Sequence, residues 1–337
     1  MRPKIDLVVV TAVILCAAVL AGEVLTYSSV HHYDADAEWG EGRVDFGVDS
    51  SGHDVYDAVL FDNKGRVTVS DLAVYVDDTY PEYYDVACKH SDPPYLDQQY
   101  YGKQICTFLK VRSFNGAHTC GLEELRSYME ASLPNPSGKG ILVTSYALPS
   151  SIYDGTDGCL LMKWAKAGGA VYWVGTEIGR FHVDGAGLHT VDGNQGLFFG
   201  RGDVLCTSGS TIATGVIPNG FTEALCLKNS NVQNGMDASK VPGAVGMGYA
   251  EAGYSSIAMA PFGSGYVCIF AGPFDFNQLD DIGQIVASGV TPYTEIVDHE
   301  RGTVSRGHSD SSFEATGSTL FVYIGGTYTK FAEAFHA

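Results

Sequence analysis

ILVTSYALPSSIYDGTDGCLLMKWAKAGGAVYWVG, residues 141–175, is the stretch that decides the fold. Ile141–Tyr146 and Ala170–Gly175 are short apolar runs bounded by turn residues, which predicts two buried strands. Between them, Cys159–Ala167 predicts a helix that ends at Gly168, because glycine adopts the left-handed backbone common at helix C-termini. A strand, a helix and a second strand in this order predict a parallel pair joined by a right-handed crossover.

The same alternation of strands and helices extends over residues 71–289. Further strands are predicted at Leu72–Val76, Ala117–Cys120, Ser256–Ala260 and Tyr266–Ala271, and further helices at Leu96–Arg112, Leu122–Ala131 and Phe276–Ser288. We therefore predict an α/β domain built on a parallel sheet. The turn-rich residues 179–250 form an irregular, partly β insertion in it.

Both ends of the chain have a different pattern. Residues 31–70 and 290–337 contain runs that alternate between apolar and polar side chains, such as Thr319–Ile324, separated by short turns. A period of two residues predicts antiparallel strands with one buried face. We expect these two segments to pack together as one antiparallel β module built from both chain ends.

Two details of the α/β region resemble the class I glutamine-amidotransferase-like domains. The first is the helix that ends in Ala167-Gly168-Gly169 before a hydrophobic strand. The second is the late strand in Phe262–Phe270, which contains a Gly-x-Gly-x-Val pattern at Gly263–Val267. The resemblance covers residues 71–289 and points to non-catalytic versions such as the β-galactosidase trimerisation domain. It implies a flavodoxin-like parallel sheet with helices on both faces.

In catalytic members of that family, the strand ends at a nucleophile elbow of the form Gly-x-Cys-x-Gly. The matching residues here are Gly175–Gly179, and Glu177 stands in the position of the cysteine. A carboxylate is a poor nucleophile for amide hydrolysis, and no later His-x-Glu pair is recognisable. The resemblance therefore does not imply amidotransferase activity.

Three acidic residues follow predicted strands, where parallel sheets place their ligands. Asp77 and Asp78 follow Leu72–Val76, and Glu177 follows the strand that ends at Gly175. Together they could bind a cation, or one could act as a general acid or base. Alternatively, Asp77 and Asp78 cap the following turn and Glu177 pairs with Arg180.

Tyrosines are concentrated after the first of these strands. Seven of the twenty lie between Tyr75 and Tyr101, interleaved with acids and prolines, and we take Tyr80, Tyr83 and Tyr84 as candidate ligand contacts. Aromatic rings stack on the C–H faces of sugars, and carboxylates accept hydrogen bonds from sugar hydroxyls, so this composition suits carbohydrate. The alternative is that the tyrosines pack a long loop onto the sheet.

The loop after Glu177 carries four residues of metal-compatible type, namely His182, Asp184, His189 and Asp192. Their spacing matches no recognised metal site. The other interpretation is polar decoration of a surface loop, and whether a metal binds is left open.

The N-terminus predicts export. Residues 1–30 begin with a basic segment, and Leu7–Gly22 is sixteen residues without a charge. Sixteen residues are too few to cross a membrane as a helix, but the following residues Glu23–Val30 could complete a membrane-spanning helix. We therefore predict that residues 5–25 contact the membrane. The competing prediction is a signal peptide cleaved after Val19-Leu20-Ala21. In either case the rest of the chain is extracytoplasmic.

The formal net charge of −19 opposes binding to nucleic acid, because the phosphates would repel it. Residues 31–100 hold sixteen acids and four bases, which predicts a solvated face, cation binding or a cationic partner. We thus expect a membrane-tethered surface protein whose domain binds carbohydrate or a protein, without catalysis or a cofactor. The alternative is an extracytoplasmic hydrolase that acts on glycans, using Glu177 with Asp77 or Asp78.

Overall fold

The computed structural model describes seventeen separate stretches of the chain. They are residues 31–33, 44–46, 59–62, 66–80, 98–112, 114–175, 177–206, 217, 219, 221–222, 225, 227–272, 276–298, 303–306, 309–311, 318–324 and 327–333. Both interpretations of residues 1–30, the retained anchor and the cleaved signal, lie outside the described residues. Within them, no helix is long and apolar enough to cross a membrane.

The described strands and helices are numbered in chain order. The strands are β1 His31–Tyr33, β2 Val44–Phe46, β3 Val59–Asp62, β4 Asp71–Tyr75, β5 Ala117–Cys120, β6 Lys139–Val143, β7 Ala147–Pro149, β8 Ala170–Val174, β9 Phe181–Asp184, β10 Gly187–Thr190, β11 Val245–Gly246, β12 Ala250–Glu251, β13 Tyr254–Ser255, β14 Ile257–Phe262, β15 Gly265–Phe270, β16 Glu295–Asp298, β17 Thr303–Arg306, β18 Ser309–Ser311, β19 Ser318–Ile324 and β20 Thr327–Glu333. The helices are α1 Gln98–Val111, α2 Leu122–Ser132, α3 Leu160–Ala167, α4 Asn194–Phe199 and α5 Phe276–Ser288.

A seven-stranded sheet in the order β11-β14-β15-β8-β6-β4-β5 carries the α/β region. The pairs from β15 to β5 are parallel, and β14 and β11 extend the sheet as antiparallel strands. Taken in chain order, the five parallel strands stand in the order 2-1-3-4-5, which is the order of flavodoxin-like sheets. The mostly parallel sheet is confirmed and is compatible with a flavodoxin-like fold.

The central strands are apolar throughout because both faces of the sheet are covered. On one face, Val74 and Leu142 share a core with Ile105 of α1 and Ile282 of α5. On the other face, the core combines strand residues with residues of α2 and α3, among them Ala73, Val171, Leu125, Met129, Leu161 and Trp164. Side chains of neighbouring strand residues alternate between these two cores.

The βαβ unit predicted from residues 141–175 is present with two adjustments. Helix α3 ends at Gly168, which has φ +134°, as predicted from the paired glycines. The strand predicted over Ile141–Tyr146 instead occupies Lys139–Val143 and ends three residues earlier. Tyr146 lies beyond it with a left-handed φ of +65°, a conformation that a strand cannot contain.

Outside the central sheet, the described strands form small antiparallel or mixed sheets. In the predicted insertion, β9 lies between β10 and β7. In a six-stranded antiparallel sheet, β3 lies between β16 and β19. Residues from before and after the α/β region thus pair with each other, while the division of the chain into domains stays a prediction.

Candidate functional site

The strand order locates one crevice at the carboxyl edge of the central sheet. From β4 the chain moves to β5 on one side, whereas from β6 it moves to β8 on the other side. Ligands of open parallel sheets bind where neighbouring strands have such opposite connections. The crevice between the carboxyl ends of β4 and β6 is therefore the candidate site, and Asp77 and Asp78 lie at its margin.

Asp77 is buried, with 8% of its surface exposed. Its Oδ1 accepts hydrogen bonds from the main-chain N–H groups of Thr79, at 2.9 Å, and Tyr80, at 2.8 Å. Burial raises the pKa of the carboxyl group, and the two main-chain donors partly oppose that rise. Asp77 thus closes the turn after β4, as the capping alternative predicts.

Asp78 connects the same turn to the start of α2. Its Oδ1 accepts hydrogen bonds from the main-chain N–H of Leu122 and from the hydroxyl of Thr79, each at 3.1 Å. A Cβ at Gly121 would lie 2.1 Å from Asp78 Oδ2, so the carboxylate approaches the main chain of Gly121 closely. A carboxylate at a helix N-terminus pairs with free N–H groups and favours the helix dipole. The capping alternative holds for both aspartates.

Glu177 has different surroundings. Its Oε2 accepts long hydrogen bonds from the side-chain amides of Asn194, at 3.4 Å, and Gln195, at 3.5 Å. Arg180 contacts it through the main chain, donating its N–H to the Glu177 carbonyl at 3.0 Å. Among the described contacts Glu177 therefore pairs with two amides, and the pairing with the Arg180 side chain is wrong.

The segment around Glu177 is not built as a nucleophile elbow. Such an elbow joins a strand to a helix and exposes its central residue on a strained turn. Here β8 is followed by the β9–β10 hairpin. The described non-glycine residues with positive φ are Tyr146, Asn234 and Ala252, so Glu177 does not have the strained conformation.

The structure keeps Asp77 and Asp78 together and places Glu177 two strands away. Strand β6 lies between β4 and β8, and two strand spacings separate them by about 10 Å. In the part of the chain that the structure describes, no group of three or more His, Cys, Asp or Glu residues could hold a metal ion. The cation-binding alternative thus finds no ligand set among these acids.

Backbone strain, which the sequence analysis missed, marks the edge beyond β6 and β8. Tyr146 has φ +65° and Asn234 has φ +63°, and both contact Gly175. A Cβ at Gly175 would lie 1.8 Å from Cε1 of the Tyr146 ring, and Asn234 Nδ2 donates to the Gly175 carbonyl at 3.1 Å. Strained residues of this kind cluster at ligand sites. In the sequence, the one feature that could have indicated this strained edge is Gly175, which directly follows an apolar strand.

Of the candidate tyrosines, the structure describes Tyr80, which is partly exposed beside Asp77. Tyr83 and Tyr84 lie outside the described residues. The described contact between Tyr80 and Asp77 is made by the main-chain N–H of Tyr80.

The histidine loop forms a separate cluster on the β9–β10 hairpin. His182 and His189 are cross-strand partners with stacked rings, 4.8 Å apart and 18° from parallel. His182 Nδ1 lies 2.8 Å from the Ser150 hydroxyl, and His189 Nε2 lies 2.9 Å from Asp184 Oδ1. Burial, and then the neighbouring His189, lowers the pKa of His182.

This cluster is not arranged to chelate a metal. The lone pairs of imidazole lie in the ring plane, so nearly parallel stacked rings direct them side by side rather than towards one point. Asp192 is exposed and takes no part in these contacts. The polar-decoration interpretation describes these residues better, with Ser150 as a partner that sequence spacing did not indicate.

Compared with models of known protein families and with curated proteins, the chain matches none.

Proposed function

We propose that the α/β region is a non-catalytic, amidotransferase-like module that binds carbohydrate at the carboxyl edge of its sheet, in an exported protein tethered to the membrane. One observation carries the proposal, namely that the carboxylates of Asp77 and Asp78 accept main-chain N–H groups. Groups used in this way position a loop and a helix end.

The same observation weighs against the hydrolase alternative. A general base or nucleophile must direct a basic lone pair at the reacting atom. Asp77 and Asp78 use carboxylate oxygens to cap a turn and a helix. Glu177 lies on the far side of β6 and lacks the strained turn of an elbow. Neither paired acids nor an activated nucleophile are assembled from these three residues.

Carbohydrate is the ligand class that best suits the tyrosines and carboxylates that follow β4. Tyr80, which is partly exposed, donates its main-chain N–H to Asp77, and Tyr83 and Tyr84 follow it within four residues in the sequence. Ring faces stack on sugar C–H groups, while carboxylates and tyrosine hydroxyls bind sugar hydroxyls. Export to the cell surface, proposed from Leu7–Gly22, would bring the module to extracellular glycans.

The test is a glycan-binding screen with the full chain purified in detergent. Saturable binding is expected to weaken about tenfold in Tyr80→Ala, Tyr83→Ala and Tyr84→Ala, since an aromatic contact contributes about 1.4 kcal/mol or more. Tyr293→Ala is the matched control, because Tyr293 is partly exposed under the Arg66 guanidinium, away from this edge. It should bind as tightly as wild type.

The same preparation is screened for turnover of glycosides, esters and amides. Turnover that disappears in Glu177→Gln would overturn the proposal in favour of the hydrolase. Absence of saturable binding to any glycan would overturn the carbohydrate assignment.

A further inference from the structure

Three asparagines of the chain are directly followed by glycine, at Asn115-Gly116, Asn219-Gly220 and Asn234-Gly235. Asparagine is a thermolabile residue, because the main-chain nitrogen of the next residue can attack its side-chain amide carbon. Glycine in the next position favours this attack, since it has no side chain to obstruct its nitrogen and its backbone is the least restricted. The sequence therefore gives the three pairs the same reactivity, and only the structure distinguishes them.

The side chain of Asn219 is held at both ends of its amide. Its Oδ1 accepts the main-chain N–H groups of Phe221, at 2.9 Å, and Thr222, at 3.1 Å. Its Nδ2 donates to the main-chain carbonyls of Gly246, at 3.3 Å, and Gly248, at 3.0 Å. The amide must leave these partners before its carbon can turn towards the following nitrogen, so the reaction is opposed here.

The Asn234-Gly235 pair is held through both of its reacting groups. Asn234 Nδ2 donates to the Gly175 carbonyl at 3.1 Å, and the main-chain N–H of Asn234 donates to the Cys206 carbonyl at 2.9 Å. The attacking atom would be the nitrogen of Gly235, which is buried and donates its N–H to the Val232 carbonyl at 2.8 Å. Reaction at this pair therefore requires local opening of the structure.

Asn115 lacks these restraints. It is exposed, and neither its side-chain amide nor the main-chain N–H of Gly116 has a hydrogen-bond partner among the described residues. The pair lies in the short connection between α1 and the edge strand β5. Both the attacking nitrogen and the amide carbon are thus available in the folded protein.

We propose that Asn115 is the site at which the folded protein deamidates spontaneously. The Gly116 nitrogen gives up its proton to solvent and forms a bond to Cγ of Asn115, while the side-chain nitrogen takes a proton from solvent and leaves as ammonia. Water then opens the cyclic succinimide at one of its two carbonyl groups. One opening gives aspartate, and the other gives isoaspartate, in which the main chain runs through the former side chain. This inference does not depend on the proposed carbohydrate function.

Isoaspartate at this position lengthens a connection that is anchored on both sides. Before it, the Phe114 N–H donates to the Leu109 carbonyl of α1 at 2.9 Å. After it, the Gly116 carbonyl accepts the N–H of Leu72 in β4, also at 2.9 Å. An extra main-chain atom between these anchors should displace the start of β5. We therefore expect the modification to lower the unfolding temperature.

The experiment incubates the full chain, purified in detergent, at mildly alkaline pH and follows deamidation by mass spectrometry of tryptic peptides. Asn115 is the only amide side chain in the peptide Ser113–Arg126, and Asn219 is the only one in Gly202–Lys228. In the folded protein, Asn115 should convert at least about tenfold faster than Asn219 and Asn234. A tenfold difference corresponds to about 1.4 kcal/mol, which is the order of one net hydrogen bond.

Chemical unfolding provides the matched control. In concentrated guanidinium chloride the three pairs should deamidate at similar rates, since each is then an unrestrained Asn-Gly sequence. If Asn115 converts no faster than Asn219 and Asn234 in the folded protein, the proposal is overturned. If the lead of Asn115 persists unchanged in denaturant, neighbouring sequence rather than the fold selects it, which also overturns the argument from structure.

Two variants test the consequence for β5. Asn115→Gln keeps an amide but forms its larger ring slowly, so its unfolding temperature should stay constant during incubation while that of wild type falls. Freshly purified Asn115→Asp carries the new charge without the extra main-chain atom and should unfold close to untreated wild type. If deamidated wild type unfolds at the temperature of the untreated protein, the expected displacement of β5 is wrong.

Discussion

The two edges of the central sheet use their polar groups in opposite ways. At the amino edge, Lys139 Nζ lies 2.6 Å from Asp71 Oδ2, and His118 lies 3.7 Å from the other oxygen of the same carboxylate. The Tyr128 hydroxyl donates to the main-chain carbonyls of Asp71 and Gly140. Polar groups at the amino edge thus pair with one another near solvent.

At the carboxyl edge, two carboxylates are tied to main-chain N–H groups, Tyr146 is strained, and the buried indole N–H of Trp173 has no partner among the described residues. The ligand site that we propose at the carboxyl edge accounts for this contrast, because strained and unpaired groups are kept where a ligand binds. Substitutions at the two edges should therefore have effects on stability that differ in size and in physical cause.

The largest effect is expected at Gly175. Gly175→Ala places a Cβ 1.8 Å from the buried Tyr146 ring at a residue with φ +97°, so steric overlap adds to backbone strain. The free energy of unfolding should fall by about 3 kcal/mol, measured by denaturant unfolding. Gly185→Ala is the control, since an added Cβ there has no atom within 4 Å and should change stability by less than about 0.5 kcal/mol.

A double-mutant cycle sharpens this prediction. Removing the ring in Tyr146→Ala should recover a large part of the free energy of unfolding lost in Gly175→Ala, because the added Cβ overlaps with that ring. Additive effects would show that the left-handed backbone at Gly175, and not its contact with the Tyr146 ring, dominates.

An intermediate effect is expected at Asp77. Asp77→Ala leaves the main-chain N–H groups of Thr79 and Tyr80 without their acceptor and should lower the free energy of unfolding by about 1–2 kcal/mol. Asp77→Asn keeps one carbonyl oxygen in place and should retain most of this stability. Equal losses in the two variants would mean that the charge, rather than the accepted N–H groups, holds the turn.

The raised pKa of Asp77 also gives the site a pH dependence of known sign. The unfolded chain loses this proton at a lower pH than the folded chain does. The free energy of unfolding therefore falls as pH rises from about 4 through the folded pKa, and this contribution is constant above it. Urea titrations at several pH values should show a steeper fall in wild type than in Asp77→Asn, since the buried Asp281, whose pKa is raised to about 6, contributes the same slope to both proteins. If the free energy of unfolding of wild type rose over this range relative to that of Asp77→Asn, the burial of the Asp77 carboxyl group would be contradicted.

The smallest effect is expected at the amino edge. Lys139 and Asp71 are each about one-third exposed, so solvent and salt screen their ion pair. Lys139→Gln should lower the free energy of unfolding by about 0.5 kcal/mol or less, and less still at high salt. A loss as large as that of Asp77→Ala would remove the contrast between the two edges.

Most of the α/β elements could be predicted because their signals are local. Helix Phe276–Ser288 and strand Ala117–Cys120 have the predicted bounds, and helix α3 ends at its glycine. The apolar run Ile141–Tyr146 shows where local signals fail. Its last residues lie outside the strand, and Tyr146 packs against Gly175. These two residues follow different strands and are 29 positions apart, so the apolar pattern around either residue does not indicate the contact.

The candidate site was predicted in location but not in its contacts. Asp77 and Asp78 do lie at the carboxyl edge, and their capping roles were foreseen as an alternative. The amides of Asn194 and Gln195 on Glu177, and the Ser150–His182 contact, join residues from separate elements. Residue type and spacing carry no information about such pairs.

The sequence by itself determined the alternation of strands and helices, the parallel character of the central sheet and the edge at which Asp77 and Asp78 lie. These follow from hydrophobic periodicity and glycine stops, which act over a few residues. Only the tertiary structure decided the strand order and the strain at Tyr146. Each of these depends on which strands become neighbours, and that choice is made by burial of the whole sheet rather than by any local segment.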